Sequence, residues 1–180
     1  SRGSSSAGFP KKNYGFETRL TNGENNNVSL LGLPVENDWI LHGPYSDKSL
    51  MRNVLSYHIG SVTGEYAPRT KWCEVILNGE YIGLYVLIEK IKRDKNRVNI
   101  SNLQTTDIAG AELTGGYVFS VDRNNQGPNS GWSSPYTNDL FYRYRDPNYD
   151  ELVQQQKDYL KNYVTLFEEV MDDARSGDDY

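Results

Sequence analysis

The chain of 180 residues has one cysteine and two histidines, and none of its apolar runs reaches the about 20 residues that a membrane-spanning helix needs. Because Cys73 is alone, an intrachain disulfide and a zinc site built from several cysteines are excluded. A GxGxxG after a strand, a Walker loop, an HExxH pair and a GxSxG elbow are all missing. His42 and His58 have no companions that suggest a metal or a triad, so we predict no metal ligand and no catalytic residue.

An initiator methionine and a basic charge balance are also missing. The chain begins at Ser1, which we interpret as the start of an excised or processed segment. A net charge of -5 and a pI near 5.1 argue against nucleic acid or an anionic membrane as the main partner, because both favour a basic surface. The hydrophobic share of 37%, with 14 tyrosines and 3 tryptophans, is typical of a globular chain.

The clearest structural signal is the stretch Trp72–Ile91, in which Asn78-Gly79 separates two apolar runs. An Asn-Gly pair in this setting predicts a β-hairpin, because both central residues of a type I′ turn need a positive φ. The second arm is apolar at odd and even positions from Tyr81 to Ile88. A strand that is apolar on both faces is usually covered on both, so we expect this arm to be the central strand of a sheet.

Hydrophobic spacing predicts further strands, a helix before the hairpin and another at the end of the chain. The predicted strands are Lys12–Leu20, Val28–Leu33, Trp39–Leu41, Gly116–Asp122 and Leu140–Tyr144. An amphipathic helix is predicted over Ser46–His58, with an apolar stripe at Leu50, Met51, Val54, Leu55, Ile59 and Val62. Asn124–Tyr136 is rich in Gly, Asn, Ser and Pro and predicts a loop. The last helix begins near Pro147, and its stripe is Leu152, Leu160, Tyr163, Phe167 and Val170 or Met171. The fold class is therefore α+β: a mainly antiparallel sheet with a packed helix and a second, C-terminal helix.

The N-terminal segment has the residue types that bind phosphate. Arg2, the hydroxyls that include Ser4 and Ser5, and the pair Lys11 and Lys12 lie within twelve residues, with the lysines at the mouth of a predicted strand. Backbone amides of a small-residue loop, hydroxyls and an ammonium group suit a polyphosphate. The alternative is a frayed and soluble chain start without a ligand.

The same segment, RGSSSAGFPKKNYGFETRL, resembles the opening signature of the spore-coat protein H (CotH-like) family, in which R-G-x-S-S precedes F-P-K-K-S-Y. The resemblance continues through Asp38-Trp39, YSDKSLMRNVLSY, VILNGEYIGLYVLIEKI, GGYVFSVD and RDPNYDELVQQQKDYL. It covers the whole chain in the order of the family, which makes it far more specific than any single motif.

The resemblance implies an atypical protein-kinase fold and, in some members, ATP-dependent phosphorylation of serines in spore-coat proteins. Residues 1–91 would be the sheet and helix of an N-lobe, and residues 92–180 a linker, further strands, a loop and the C-terminal helix of a domain that extends further. Lys12, or less favourably Lys11, would hold the phosphates of ATP, with Arg2, Ser4 and Ser5 nearby. Glu89 and Lys90 would lie near the hinge, where backbone groups read adenine, and Mg2+ would accompany the nucleotide.

The sequence departs from this pattern in two ways. An ordinary kinase pairs its strand lysine with a glutamate of the helix, whereas this helix offers Asp47, Arg52 and Asn53, which we expect to cap the helix and bond neighbouring loops. The family's catalytic and metal-binding aspartates occur in an N-x-D stretch and a later W-D-F-D stretch, and we interpret residues 146–180 as containing neither. Since phosphoryl transfer depends on carboxylate-held Mg2+, we expect this chain alone to be inactive.

A different class of function stays open: a non-catalytic module at a cell surface, in a spore coat or outside the cell. Exposed aromatics such as Trp132 and Tyr136 would suit contacts with protein or carbohydrate, or they could simply pack the loop around them. We therefore expect a protein substrate or a surface partner, with no nucleic acid and no membrane span in this segment.

Overall fold

The computed structural model describes residues 5–123, 128–137 and 139–176. The chain forms two compact units, Ser1–Val98 and Asn99–Tyr180. Each unit contains an antiparallel sheet, so the fold class is α+β, as predicted. No helix in the described ranges is long and apolar enough to span a membrane.

The first unit is a four-stranded sheet with one helix. Its elements are β1 (Tyr14–Glu17), β2 (Asp38–His42), α1 (Arg52–Val62), β3 (Thr70–Leu77) and β4 (Glu80–Glu89). All pairs are antiparallel and the strand order is β1-β2-β4-β3. The second arm of the predicted hairpin is β4, which is bonded on both edges, so the prediction of a central strand is confirmed.

The hairpin turn has the backbone that its sequence requires. Asn78 has a φ of 53° and Gly79 a φ of 85°, and Leu77 pairs with Glu80 across the turn. Both angles lie in the left-handed region that Asn and Gly tolerate best. Strand β4 is exposed near the turn and becomes buried from Tyr85 onwards, so its apolar character marks the sheet centre only over its second half.

Three predicted elements of the first unit differ from the structure. The strand predicted over Val28–Leu33 is wrong, because Leu31 and Gly32 form a turn with positive φ, and only an isolated bridge joins Val28 to Glu36. The helix predicted from Ser46 starts at Arg52 instead. A turn precedes it, in which Leu50 has a φ of 63° that an α-helix cannot contain. Strand β1 is also shorter than the predicted Lys12–Leu20.

The hydrophobic cluster of the first unit is built around Trp39, and no residue of α1 belongs to it. Trp39 is fully buried and packs with Leu33 and Leu87, while Phe16, Leu30, Leu41 and Cys73 pack around them. Helix α1 has no buried residue, and Leu55, Ile59 and Val62 are each more than half exposed. The apolar stripe predicted for this helix therefore does not enter the core.

The second unit is a three-stranded sheet with a long helix. Its elements are α2 (Gly110–Leu113), β5 (Val118–Arg123), β6 (Gly131–Ser133), β7 (Leu140–Asp146) and α3 (Gln154–Ser176), and the strand order is β5-β7-β6. Part of the predicted loop over Asn124–Tyr136 is thus a strand. Gly131 makes this pairing possible, because a Cβ there would collide with the backbone of Tyr142.

Aromatic side chains fill the core of the second unit. Trp132 lies between Tyr142 and Tyr144, with ring centroids 5.3 and 5.0 Å away, and Leu152, Leu160 and Val164 pack against this cluster. The C-terminal half of α3 lies outside it. Of the predicted stripe, Tyr163, Phe167, Val170 and Met171 are each more than half exposed.

Candidate functional site

The predicted phosphate-binding segment begins with a short 3-10 helix, Ser5–Gly8, called here the N-terminal turn. The ammonium group of Lys12 donates a 2.7 Å hydrogen bond to the carbonyl of Ala7, which places a positive charge directly on this turn. The ring of Phe9 packs on Tyr45 with centroids 5.1 Å apart. Arg2 and Ser4 lie outside the described residues, and the side chain of Ser5 is likewise not described.

Lys11 is placed differently from its neighbour. Its ammonium lies 4.6 Å from the centroid of the Tyr85 ring, and no hydrogen bond or ion pair joins it to the residues that the structure describes. A Cβ on Gly43 would be 2.8 Å from Cγ of Lys11 and 3.0 Å from the Tyr85 ring. The lysine stem thus fits because Gly43 has no side chain, and its charge is held by a cation–π contact.

A cavity of about 340 Å³, called here the Asn53 cleft, is lined by residues of the N-terminal turn and of α1. It is lined by Ser6, Asn13, His42, Asn53 and Tyr57 over an apolar floor of Ile40 and Ile88. Ser6 and Ala7 are consecutive residues, so the cleft and the ammonium of Lys12 lie at neighbouring positions of one turn. None of the lining residues is acidic.

A hydrogen-bond pair fixes the ring of His42 in this cleft. Oδ1 of Asn13 accepts a 2.8 Å bond from the backbone N–H of Gly43 and lies 3.2 Å from Nδ1 of His42. Because the amide oxygen can only accept, Nδ1 carries a proton and Nε2 is left as an acceptor. Burial lowers the pKa of His42 below its ordinary value, and the nearby charge of Asp47 only partly opposes this. We conclude that the imidazole is neutral at neutral pH.

The residues at the start of α1 divide into two kinds. Asp47 accepts hydrogen bonds from the backbone of Ser49 at 3.0 Å and of Arg52 at 2.8 Å, and its carboxylate lies 3.6 Å from the Arg52 guanidinium. These contacts are the structural role that the sequence suggested for both residues. The sequence suggests the same role for Asn53, but its side chain has no such bond among the described residues and lines the cleft instead.

Glu89 and Lys90, predicted to lie at the hinge, form the end of β4 and the residue after it. The Glu89 side chain is fully buried and accepts 3.0 Å bonds from the backbone and Nε of Arg69 and a 3.3 Å bond from Tyr66. Burial raises the pKa of Tyr66, and the Glu89 charge adds to it. The N–H of Glu89 and the carbonyl of Lys90 already have backbone and Arg97 partners, so an adenine here would have to use other backbone groups.

Beside this position lies a cluster of opposite charges, called here the hinge ion-pair cluster, formed by Glu36, Asp38, Lys90, Lys92 and Arg97. Lys92 binds Glu36 at 2.8 Å and Asp38 at 2.6 Å, and Lys90 binds Asp38 at 2.9 Å. The Arg97 guanidinium is fully buried, 3.5 Å from Glu36 and over the ring of Trp39. Burial alone would raise the pKa of Asp38, but hydrogen bonds from Lys92 and Lys90 outweigh it and hold the pKa below its ordinary value.

The cluster also explains where the first unit ends. Its pairs attach residues 90–97 to β2 and to the segment before it, so the compact unit continues to Val98. The side chains of Glu89 and Lys90 thus have structural contacts, and their predicted role beside adenine stays a prediction.

The described residues contain no group of three or more His, Cys, Asp or Glu side chains that could hold a metal ion. One triplet within residues 146–180, Asn148-Tyr149-Asp150, has the N-x-D spacing. The interpretation that this region contains no N-x-D stretch is therefore wrong. The structure gives the triplet a local role: Asn148 precedes a 3-10 helix, and Glu151 accepts bonds from its backbone at 2.7 Å and its side chain at 3.1 Å. This capping box is a common way to begin a helix. No W-D-F-D stretch is present in the sequence.

Of the two aromatics considered for surface contacts, Trp132 is buried to 7% exposure and packs in the core, as the alternative interpretation held. Tyr136 is 43% exposed.

The first unit is therefore an α+β module in which a helix precedes a central hairpin, and the turn that accepts a hydrogen bond from Lys12 borders the Asn53 cleft. The chain belongs to the CotH family: a family model described as CotH kinase protein matches residues 1–180, which is the whole chain. No curated protein matches the chain.

Proposed function

We propose that this protein binds ATP through the N-terminal turn and Lys12, as part of a CotH-type kinase that phosphorylates Ser or Thr of coat or extracellular proteins. The observation that carries the proposal is the ammonium of Lys12, which is held 2.7 Å from the carbonyl of Ala7 within a turn of small residues. The match of the CotH family model to residues 1–180 supports it.

The residues present fit the phosphates of a nucleotide. Lys12 supplies a cation at the turn, Lys11 a second cation without a carboxylate partner in the described chain, and the adjoining cleft has no acidic lining. Cations and oriented N–H groups stabilise polyphosphate charge. The described residues contain no group of three or more His, Cys, Asp or Glu side chains to hold Mg2+, so we assign no metal ligand within them. Bound MgATP would supply the transferable phosphoryl group.

We therefore propose a division of roles in which these 180 residues bind the nucleotide and do not transfer phosphate by themselves. Transfer needs carboxylates that hold the metal, and the family's W-D-F-D stretch is not within this sequence. Incubation of the 180-residue chain with labelled ATP, Mg2+ and casein should give no labelled protein. Labelling that Lys12→Ala abolishes would overturn this part of the proposal.

Nucleotide binding is tested by calorimetric titration of the chain with ATP, with and without Mg2+. Lys12→Ala should weaken binding at least tenfold, since a hydrogen bond to a charged group contributes about 1.5–3 kcal/mol. Lys161→Ala, which removes an exposed lysine of α3, is the matched control and should leave the affinity unchanged. Equal binding by wild type and Lys12→Ala would show that Lys12 has been assigned wrongly, and no binding by wild type would remove the nucleotide from the proposal.

The competing proposal is a surface or spore-coat interaction module without catalysis. The exposed apolar side chains of α1 and α3 favour it, because Leu55, Ile59, Phe167 and Val170 are all more than half exposed. The two proposals predict different sequences encoded after Tyr180. Intact N-x-D and W-D-F-D stretches encoded after Tyr180 would support the kinase, and their loss together with failure to bind ATP would leave the interaction module.

A further inference from the structure

The Asn53 cleft contains neutral hydrogen-bonding groups that the fold itself does not use. The amide of Asn53, Nδ2 of Asn13 and the hydroxyl of Tyr57 have no hydrogen-bond partner among the described residues, although all three residues line one cavity. In contrast, Oδ1 of Asn13 is fully engaged with Gly43 and His42. The fold thus uses the oxygen of the Asn13 amide and leaves its Nδ2 without a protein partner among the described residues.

We propose that Asn53 and Asn13 bind phosphate oxygens of the nucleotide that the N-terminal turn holds, so that α1 contributes a neutral amide where an ordinary kinase helix contributes a glutamate. This inference rests on the proposed function. It goes further because it assigns a ligand-binding role to Asn53, which its sequence position suggested to be structural.

The position of the cleft supports phosphate as the group that is bound. Ser6 lines the cleft, and the next residue, Ala7, accepts the hydrogen bond from Lys12. A phosphate that contacts the Lys12 ammonium would therefore lie close to the cleft. Amide N–H groups are donors that complement phosphate oxygens. The uncharged lining also matters: in a protein of net charge -5, this cavity has no carboxylate that would repel an anion.

Asp47, just before α1, is a negative charge that interacts with His42 of the cleft. Its carboxylate is occupied by Ser49 and by the backbone and guanidinium of Arg52. These contacts offset its negative charge and keep its oxygens out of the set that lines the cleft.

The test uses the 180-residue chain and three probes: ATP, inorganic tripolyphosphate and adenosine. Asn53→Ala should weaken ATP and tripolyphosphate by the same factor, about 3- to 10-fold as for one neutral hydrogen bond, and leave adenosine unchanged. Asn53→Asp should weaken the two phosphate probes more than Asn53→Ala does, because it adds a like charge. The matched control is Asn162→Ala, an exposed asparagine of α3, which should change none of the affinities.

A second readout locates the bound probe on the protein instead of measuring its affinity. In 15N NMR spectra, tripolyphosphate should shift the side-chain amide signals of Asn53 and Asn13, while the unfolding midpoint of ligand-free Asn53→Ala stays within a degree or two of wild type. A loss confined to adenosine would assign the cleft to the sugar or base and overturn the inference. ATP binding that Lys12→Ala weakens but Asn53→Ala and Asn53→Asp do not would overturn it while leaving the proposed function intact. No ATP binding by wild type would instead remove the proposed function.

Discussion

The carboxylate of Glu89 is fully buried, yet both the backbone and the guanidinium of Arg69 donate hydrogen bonds to it at 3.0 Å. The two residues are not equally buried, because the Arg69 side chain is 45% exposed. Removing Glu89 leaves the partly exposed guanidinium of Arg69 to water. Removing Arg69 leaves the buried carboxylate of Glu89 without its cation.

Arg69→Ala should lower the free energy of unfolding by about 3–5 kcal/mol, the usual effect of leaving one partner of a buried pair uncompensated. Glu89→Gln should cost less, because it keeps the shape and leaves the charge of Arg69 to solvent. Urea denaturation measures both. Arg175→Ala breaks the exposed pair with Asp172 and should change stability by less than about 1 kcal/mol. A smaller effect for Arg69→Ala than for Glu89→Gln would contradict this account.

Gly43→Ala should destabilise the first unit, because the new Cβ would be 2.8 Å from Cγ of Lys11 and 3.0 Å from the Tyr85 ring. Overpacking of this kind costs about 1–3 kcal/mol. Gly8→Ala is the matched control, since a Cβ there meets nothing within 4 Å. Thermal unfolding compares the two, and an equal midpoint for both variants would show that Lys11 is not confined against Gly43.

The hinge ion-pair cluster predicts acid sensitivity. Because the folded pKa of Asp38 is below its ordinary value of 3.8, its contribution to stability is present above that value and is lost as the pH falls through the lower, folded pKa. The free energy of unfolding should therefore fall more steeply below pH 4 in wild type than in Asp38→Asn. The measurement is urea unfolding at a series of pH values, and parallel curves would exclude Asp38 as a source of the slope.

His42 predicts a second pH effect in a different window. Burial depresses its folded pKa below the ordinary 6.5, so the unfolded chain takes up a proton first as the pH falls. Stability attributable to His42 is thus complete above pH 6.5 and declines below it. Proton NMR titration of His42 should give a midpoint below 6.5, and a midpoint above that value would contradict the burial of the ring.

Substitutions at exposed positions in the C-terminal half of α3 should affect stability less than substitutions at its buried N-terminal positions. Leu160→Ala should cost about 2–5 kcal/mol, because the side chain is 5% exposed in the aromatic core. Phe167→Ala removes a larger side chain from the same helix. Because the Phe167 ring is 62% exposed, its removal should change the chain's stability by less than about 0.5 kcal/mol. Calorimetric unfolding of both variants checks this, and a large loss for Phe167→Ala would mean that the ring is covered in solution.

The features that the sequence predicted well are local ones. Asn78-Gly79 determined the hairpin turn because the two residues needed for positive φ are adjacent. The apolar spacing in α1 and α3 correctly indicated helices, but periodicity shows only which residues share a face. It does not show whether that face meets a sheet, so the exposure of Leu55 and Phe167 could not be read from it.

The site was predicted less completely, because its contacts join distant parts of the chain. The bonds from Lys90 and Lys92 to Asp38 and Glu36 connect residues 52 to 56 positions apart, and no short motif marks them. Lys11 and Lys12 are adjacent in sequence, yet one contacts Tyr85 and the other Ala7. The cleft beside Asn53 is lined by residues from separate parts of the chain, including Ser6 of the N-terminal turn. No local sequence pattern could therefore mark it.

Strand β3 is an edge of its sheet, and Trp72, Ile76 and Leu77 on it are all at least 40% exposed. Such an edge invites pairing with a second molecule, which leads to aggregation. The register between β3 and β4 shifts between Val75 and Ile76, opposite Gly83, whose φ is 95°. A shift of this kind bends and twists an edge away from a flat template. We therefore expect the irregular hairpin, with Gly83 at the shift, to make this edge a poorer template for pairing with a second molecule.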